Sequence, residues 1–251
     1  MADQPPRPVE SVPFALSFAF VLLTGLTSWL FYRAAHQSRS TLYVLVAWLA
    51  LQAGLGLSGF YAAVPQALPP RLLLALLPPV LVLTGLLLTA RGRSYLTGLR
   101  LERLTLLHTI RLPVEVALLA LYLHGAVPRL MTFEGRNWDI LAGLSAPVVY
   151  FLVFRLRRLG RRALLGWNLL CLGLVINILI NALLSVPGPL QRFAFEQPNV
   201  AVMFFPFVWL PSCVVPLVLI SHAAAFCQLA RSKSLGNQSL VVPSKARLPS
   251  D

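Results

Sequence analysis

Charge is scarce in this chain. Of 251 residues only 12% are Asp, Glu, Lys or Arg, against 57% hydrophobic, whereas a soluble domain carries roughly twice that charged fraction. The apolar runs exceed what a single globular core needs, which excludes an ordinary soluble enzyme and makes the class a polytopic membrane protein. Acid is rarer still: 8 Asp and Glu stand against 21 Lys and Arg. Lysine is nearly missing, with only Lys233 and Lys245. A retinal protein needs a lysine in its last span, and both of these follow it. No Walker loop, GxSxG or HExxH is present, and the histidines are too dispersed for a three-histidine membrane hydrolase.

Cysteine is equally sparse. Cys171, Cys213 and Cys227 all fall in apolar stretches without metal-type spacing, so they read as buried structural thiols and not as a disulfide framework. The start, MADQPPRPVESVPF, lacks the basic n-region of a cleavable signal, so the first span is expected to remain as an anchor.

What the chain does have is seven apolar stretches of membrane-crossing length: roughly 14–33, 41–63, 71–90, 104–126, 138–156, 163–186 and 201–229. The expected fold is all-α, a seven-helix transmembrane bundle over 14–230. It is preceded by a short external tail (1–13) and followed by a basic, disordered cytoplasmic tail (231–251). The net charge of +13 does not mark a nucleic-acid binder, because no aromatic platform accompanies it. The basic residues instead gather in the loops after spans 1, 3 and 5 and in the tail. Arg93, Arg100 and Arg103 form one group, and Arg155, Arg157, Arg158, Arg161 and Arg162 another. The positive-inside rule then places the N-terminus outside and the C-terminus in the cytoplasm. Arginine far outnumbering lysine suggests a GC-rich bacterial genome, hence the bacterial inner membrane.

Within this frame one stretch stands out. LLHTIRLPVEVALLALY, residues 106–122, places His108, Arg111, Glu115 and Tyr122 within a strip about 60° wide on a helix turning about 100° per residue. At about 1.5 Å per residue His108 lies about 6 Å and Glu115 about 17 Å from the cytoplasmic end, so the carboxylate is near the midplane. There it must be protonated, paired or hydrated. The spacing allows Glu115 to bridge Arg111 directly, either as a packing device or as a site with Glu115 accepting a proton or cation, Arg111 as counter-charge and His108 as relay. Pro113 frees the carbonyl of Thr109 and predicts a kink.

Three further features join it. Asn177, Asn181 and Ser185, spaced four apart, form a stripe on the sixth span, either stitching helices or lining a cavity, with Asn168 pointing elsewhere. Pro206, Pro211 and Pro216 predict a bent or partly unwound seventh span. His222 sits at a depth comparable with His108. No cofactor is expected, the alternative being haem or a metal between His108 and His222. In the loop VPRLMTFEGRNWDILAGLSAP, Asp139 is expected to cap the fifth span and Trp138 to anchor it, Glu134 and Arg136 to pair, and Gly135 to permit a tight turn.

RLPVEVALL followed by MTFEGRNWDILAGL resembles uncharacterised seven-span proteins of the bacterial inner membrane. The resemblance covers most of the chain and implies the same fold, but no activity and no catalytic role. The expected function is therefore transport or binding of a small solute or ion, proton-coupled through Glu115. Two alternatives stand beside it: a membrane-embedded enzyme on a lipid-like substrate, and a non-catalytic accessory or receptor subunit. The expected partners are the bilayer and the small solute or ion, with no nucleic acid. A membrane-protein partner or a second copy belongs to the accessory reading.

Overall fold

A computed structural model describes residues 11–64, 66 and 69–238, with side chains up to 230. The expected external tail therefore lies mostly outside the described residues, as does the cytoplasmic tail beyond 238. The described residues form helices and no strand. In chain order these are α1 (Phe14–Ala34), α2 (Arg39–Leu57), α3 (Leu73–Leu88), α4 (Ala90–Gly98), α5 (Leu101–Leu123), α6 (Ile140–Arg155), α7 (Arg161–Ser185) and α8 (Val215–Gln238), the last entered through a π-helical turn, Leu210–Val214. Five segments are long and apolar enough to cross a membrane: α1, α2, α5, Arg161–Leu183 and Leu210–Ala230. The bent pair α3–α4 makes a sixth if taken as one span, and α6 is apolar but shorter.

Burial separates centre from periphery. The best apolar windows of α5 and Leu210–Ala230 are 61% and 67% buried, that of α2 only 11%. Helices α5 and α8 are thus the axis of the bundle, with α1, α6 and α7 packed around them, while α2 turns most of its side chains outward. The main core joins Phe20 and Phe31 of α1, Leu104, Leu107 and Leu121 of α5, and Leu217 and Val218 of α8.

The ends are tied by hydrogen bonds that satisfy otherwise open helix termini. At one end Arg103 Nη1 donates to Arg33 O (2.9 Å) and Arg100 N to Ala34 O (3.0 Å), closing the last turn of α1. His36 Nε2 reaches Gly98 O, and Gln228 Nε2 donates to Leu96 O and Leu99 O. These contacts gather the 34–39 turn, α4 and the end of α8 together. At the other end Ser11 Oγ donates to His124 O, and Gln197 Nε2 donates to Tyr122 O and Val127 O.

The stretch read as a single span at 71–90 ends in a sharp elbow. Helices α3 and α4 meet at 96°. Thr89 caps α4 by accepting from Gly92 N (3.0 Å) while donating to Gly85 O. Gly92 is required here, since a Cβ would lie 2.4 Å from Leu86 Cα. Arg93 Nη1 then donates to the open carbonyls of Leu87 and Leu88, a cationic C-cap for α3.

Two other expectations change. Pro113 produces no sharp break: α5 runs through it, and the helix tightens only into a 3₁₀ turn at His108–Ile110. The seventh apolar stretch starts later than 201. Residues Ala201–Met203 form a separate 3₁₀ turn and Pro206 lies before the helix, so only Pro211 and Pro216 fall within it.

Candidate functional site

The site begins with two close backbone approaches. At Gly143 of α6 a Cβ would stand 2.6 Å from Leu112 N, so glycine lets α6 press on α5 right beside Arg111, one turn from Asp139. This brings Asp139, at the start of α6, onto the guanidinium. Arg111 Nε donates to Asp139 Oδ2 (2.5 Å), Nη2 donates to Asp139 Oδ1, and Nη2 also donates to Cys171 O (3.0 Å). The pair is buried on both sides. At Gly135 a Cβ would meet Arg129 O at 2.2 Å, so the 129–139 loop can fold back tightly and carry Asn137 inward. Asn137 Nδ2 donates to Glu115 Oε1 and to Met131 O, while its Oδ1 accepts from Asp139 N (3.1 Å).

This corrects the expected bridge within α5. Arg111 is matched by Asp139 and not by Glu115, because a bidentate fork across helices fits the planar guanidinium. Asp139 makes no side-chain cap, since both its oxygens serve Arg111. Nor do Glu134 and Arg136 pair: Arg136 lies over the Phe193 ring, 5.6 Å from its centre.

Arg111, Glu115, Asn137 and Asp139 line one cavity of about 60 Å³, closed otherwise by apolar side chains of the 131, 175–182, 202 and 210–218 stretches. By volume it holds roughly four water molecules or one comparably small ligand. Arg111 Nη1 and Glu115 Oε2 are buried without a hydrogen-bond partner among the described residues. An unsatisfied carboxylate oxygen at 1% residue exposure is costly unless something fills the space beside it.

Residues 68–230 match the family model described as Domain of unknown function (DUF8737). The chain belongs to this family. No curated protein and no solved structure matches it. The DUF8737 segment carries every residue of the cavity and both histidines described next.

Below Glu115 and Arg111, His108 and His222 stack with ring centres 4.3 Å apart and planes tilted by 32°. His108 also meets the Trp167 ring edge-on at 5.4 Å, and Trp167 Nε1 donates to Ser145 Oγ. Asn168 Nδ2 donates to Leu164 O (2.9 Å), which turns its Oδ1 toward His222 Nδ1 at 3.0 Å. An amide oxygen only accepts, so His222 carries its hydrogen on Nδ1. Its Nε2 and His108 Nδ1 are buried without partners. Among the described residues no group of three His, Cys, Asp or Glu comes together as metal ligands.

The remaining expected site residues lie elsewhere. Asn168, expected to point away, holds His222. Asn177 is exposed and donates to Arg136 O, anchoring the loop, while Asn181 donates back to Asn177. Neither lines the cavity, whose α7 wall is Val175, Ile178, Leu179 and Ala182, because the stripe at 177 and 181 faces a different direction on the helix. Tyr122 packs against the core away from the cavity. Pro211 lines it; Pro216 lines a separate, larger pocket. Sequence reasoning missed Asn137 and assigned Asp139 a cap. Charge balance could have found Asp139, since a buried arginine needs a carboxylate partner; no such signal marks the neutral Asn137.

Proposed function

We propose that the protein is a seven-span carrier of the bacterial inner membrane that binds a small solute or ion at Glu115 and exchanges it against a proton. The seven spans are the five long apolar helices, the α3–α4 pair and α6. At about 1.5 Å per residue α6 covers about 24 Å, short of a hydrocarbon core of about 30 Å. Exposed Trp138 at one end and the arginines from 155 at the other suit such a short span. The hydrogen bonds from Arg100 and Arg103 to the last turn of α1 bring the arginines of the 33–39 and 91–103 stretches to one end. Ser11, just before α1, donates to His124 O at the opposite end. This favours an external N-terminus.

The observation that carries the reading is Glu115 Oε2. The neighbouring arginine is already neutralised by Asp139, so among the described residues Glu115 has an amide donor but no matching cation. A carboxylate buried among apolar walls holds either a proton or a positively charged or hydrogen-bonding ligand, and exchange between the two is coupling. The cavity limits that ligand to a few heavy atoms. His108 and His222, with free ring nitrogens, continue the polar path toward the arginine-rich end.

The test is proton flux in proteoliposomes holding an internal pH indicator. Gradients of sodium, potassium, ammonium and small amines are imposed in turn. The reading requires that one of them drives proton movement in wild type and not in Glu115→Gln of equal reconstitution. Equal flux in the two proteins, or none with any member of the panel, overturns it.

A further inference from the structure

Away from the Glu115 cavity, α2 stands off the bundle and leaves a second pocket of about 630 Å³. That volume is ten times the first and within the range of sites for ligands of tens of atoms. Its walls are the inward face of α2, the Pro78–Leu86 stretch of α3, and Cys213–Ile220. Almost all of this lining is hydrocarbon. Polar groups concentrate at one end, where Ser40 and Thr41 open α2 and Tyr95 comes from α4, with Tyr95 and Thr41 hydroxyls 3.1 Å apart.

The inner wall is built to stay in place. Pro216 lacks the N–H that would take Ser212 O, and Trp48 Nε1 donates to that carbonyl instead at 2.8 Å. The freed backbone group is thereby satisfied without a polar side chain entering the pocket. The hydroxyl end coincides with the arginine-rich end of the molecule: Arg39 immediately precedes Ser40, Arg91 and Arg93 lie on α4 with Tyr95, and all three are exposed.

We propose that this pocket binds one acyl chain of an anionic phospholipid, whose phosphate sits at the Ser40–Thr41–Tyr95 end beside Arg39. An apolar slot of this volume suits a hydrocarbon chain. The hydroxyls supply donors to phosphate oxygens, and the exposed arginines select negative charge over a zwitterionic headgroup.

The experiment uses the full chain in phosphatidylcholine nanodiscs carrying a trace of phospholipid photoreactive at the end of its acyl chain, either phosphatidylglycerol or phosphatidylcholine, with labelled residues mapped by mass spectrometry. Labelling on Trp48, Leu51 and Pro79, which line the pocket far from its Tyr95 end, is expected, stronger with phosphatidylglycerol and removed by unlabelled phosphatidylglycerol. Ala47→Trp, which fills the pocket, removes it too. Arg39→Gln lowers the headgroup preference by about fivefold, as for one basic residue beside an anionic surface. Equal labelling by the two lipids, unchanged labelling in Ala47→Trp, or labels spread as densely over Phe18 and Leu22 of α1 overturns the proposal. The competition arm keeps it testable if Ala47→Trp does not fold.

Discussion

Arg111 and Asp139 grip each other through two parallel hydrogen bonds inside the bundle, one from the middle of α5 and the other from the residue before α6. Removing one partner strands the other as a buried charge. Asp139→Leu or Arg111→Met should each cost about 3–5 kcal/mol, whereas the two together should recover most of that loss. Thermal unfolding of the purified protein in a single detergent reads this cycle. Additive losses in the double variant would show that the pair is not coupled as described.

The approach of α6 to α5 depends on Gly143. With Leu112 N 2.6 Å from its Cβ position, Gly143→Ala must push the helices apart at a cost of about 1–3 kcal/mol, as overpacking does. Gly54→Ala is the control, since nothing lies within 4 Å of that site. Comparable melting temperatures for the two variants would contradict the packing.

Asn168 fixes the tautomer of His222. In ¹⁵N-histidine spectra His222 should carry its proton on Nδ1, and Asn168→Leu should release that preference. An Nε2–H form in wild type would reverse the assignment.

Trp48 replaces the hydrogen bond that Pro216 cannot make. Trp48→Phe should cost about 1 kcal/mol of hydrogen bonding beyond its packing loss. In a Pro216→Ala background the new N–H can take Ser212 O, and the cost of Trp48→Phe should shrink. A double-mutant cycle measures the difference, and a zero interaction energy would dismiss the compensation.

Apolar length was enough to find the five helices long enough to cross a membrane and the bent α3–α4 pair, because runs such as LLPPVLVLTGLLL have nowhere to go but a helix in an apolar setting. Their ends were harder. The α3–α4 elbow depends on Thr89 and Gly92, two small residues whose effect arises only once Leu86 folds back onto them. The strip His108–Arg111–Glu115–Tyr122 was legible from helical spacing, and the first three side chains are buried. Its pairing was not, because the four-residue offset made Arg111 and Glu115 look sufficient to each other. The actual partners arrive through a loop whose fold depends on Gly135 and Gly143. Asn177 and Asn181 misled for the opposite reason: a regular stripe says that residues share a face, not which neighbour that face meets.

The role proposed for Glu115 is exchange of a proton for a ligand in the small cavity. Its most direct measurement is proton release from purified, weakly buffered protein when the ion or solute active in the flux screen is added. Wild type should release close to one proton per molecule bound, and Glu115→Gln, equally folded, should release none. Undiminished release from Glu115→Gln, or binding by wild type without release, would contradict the account.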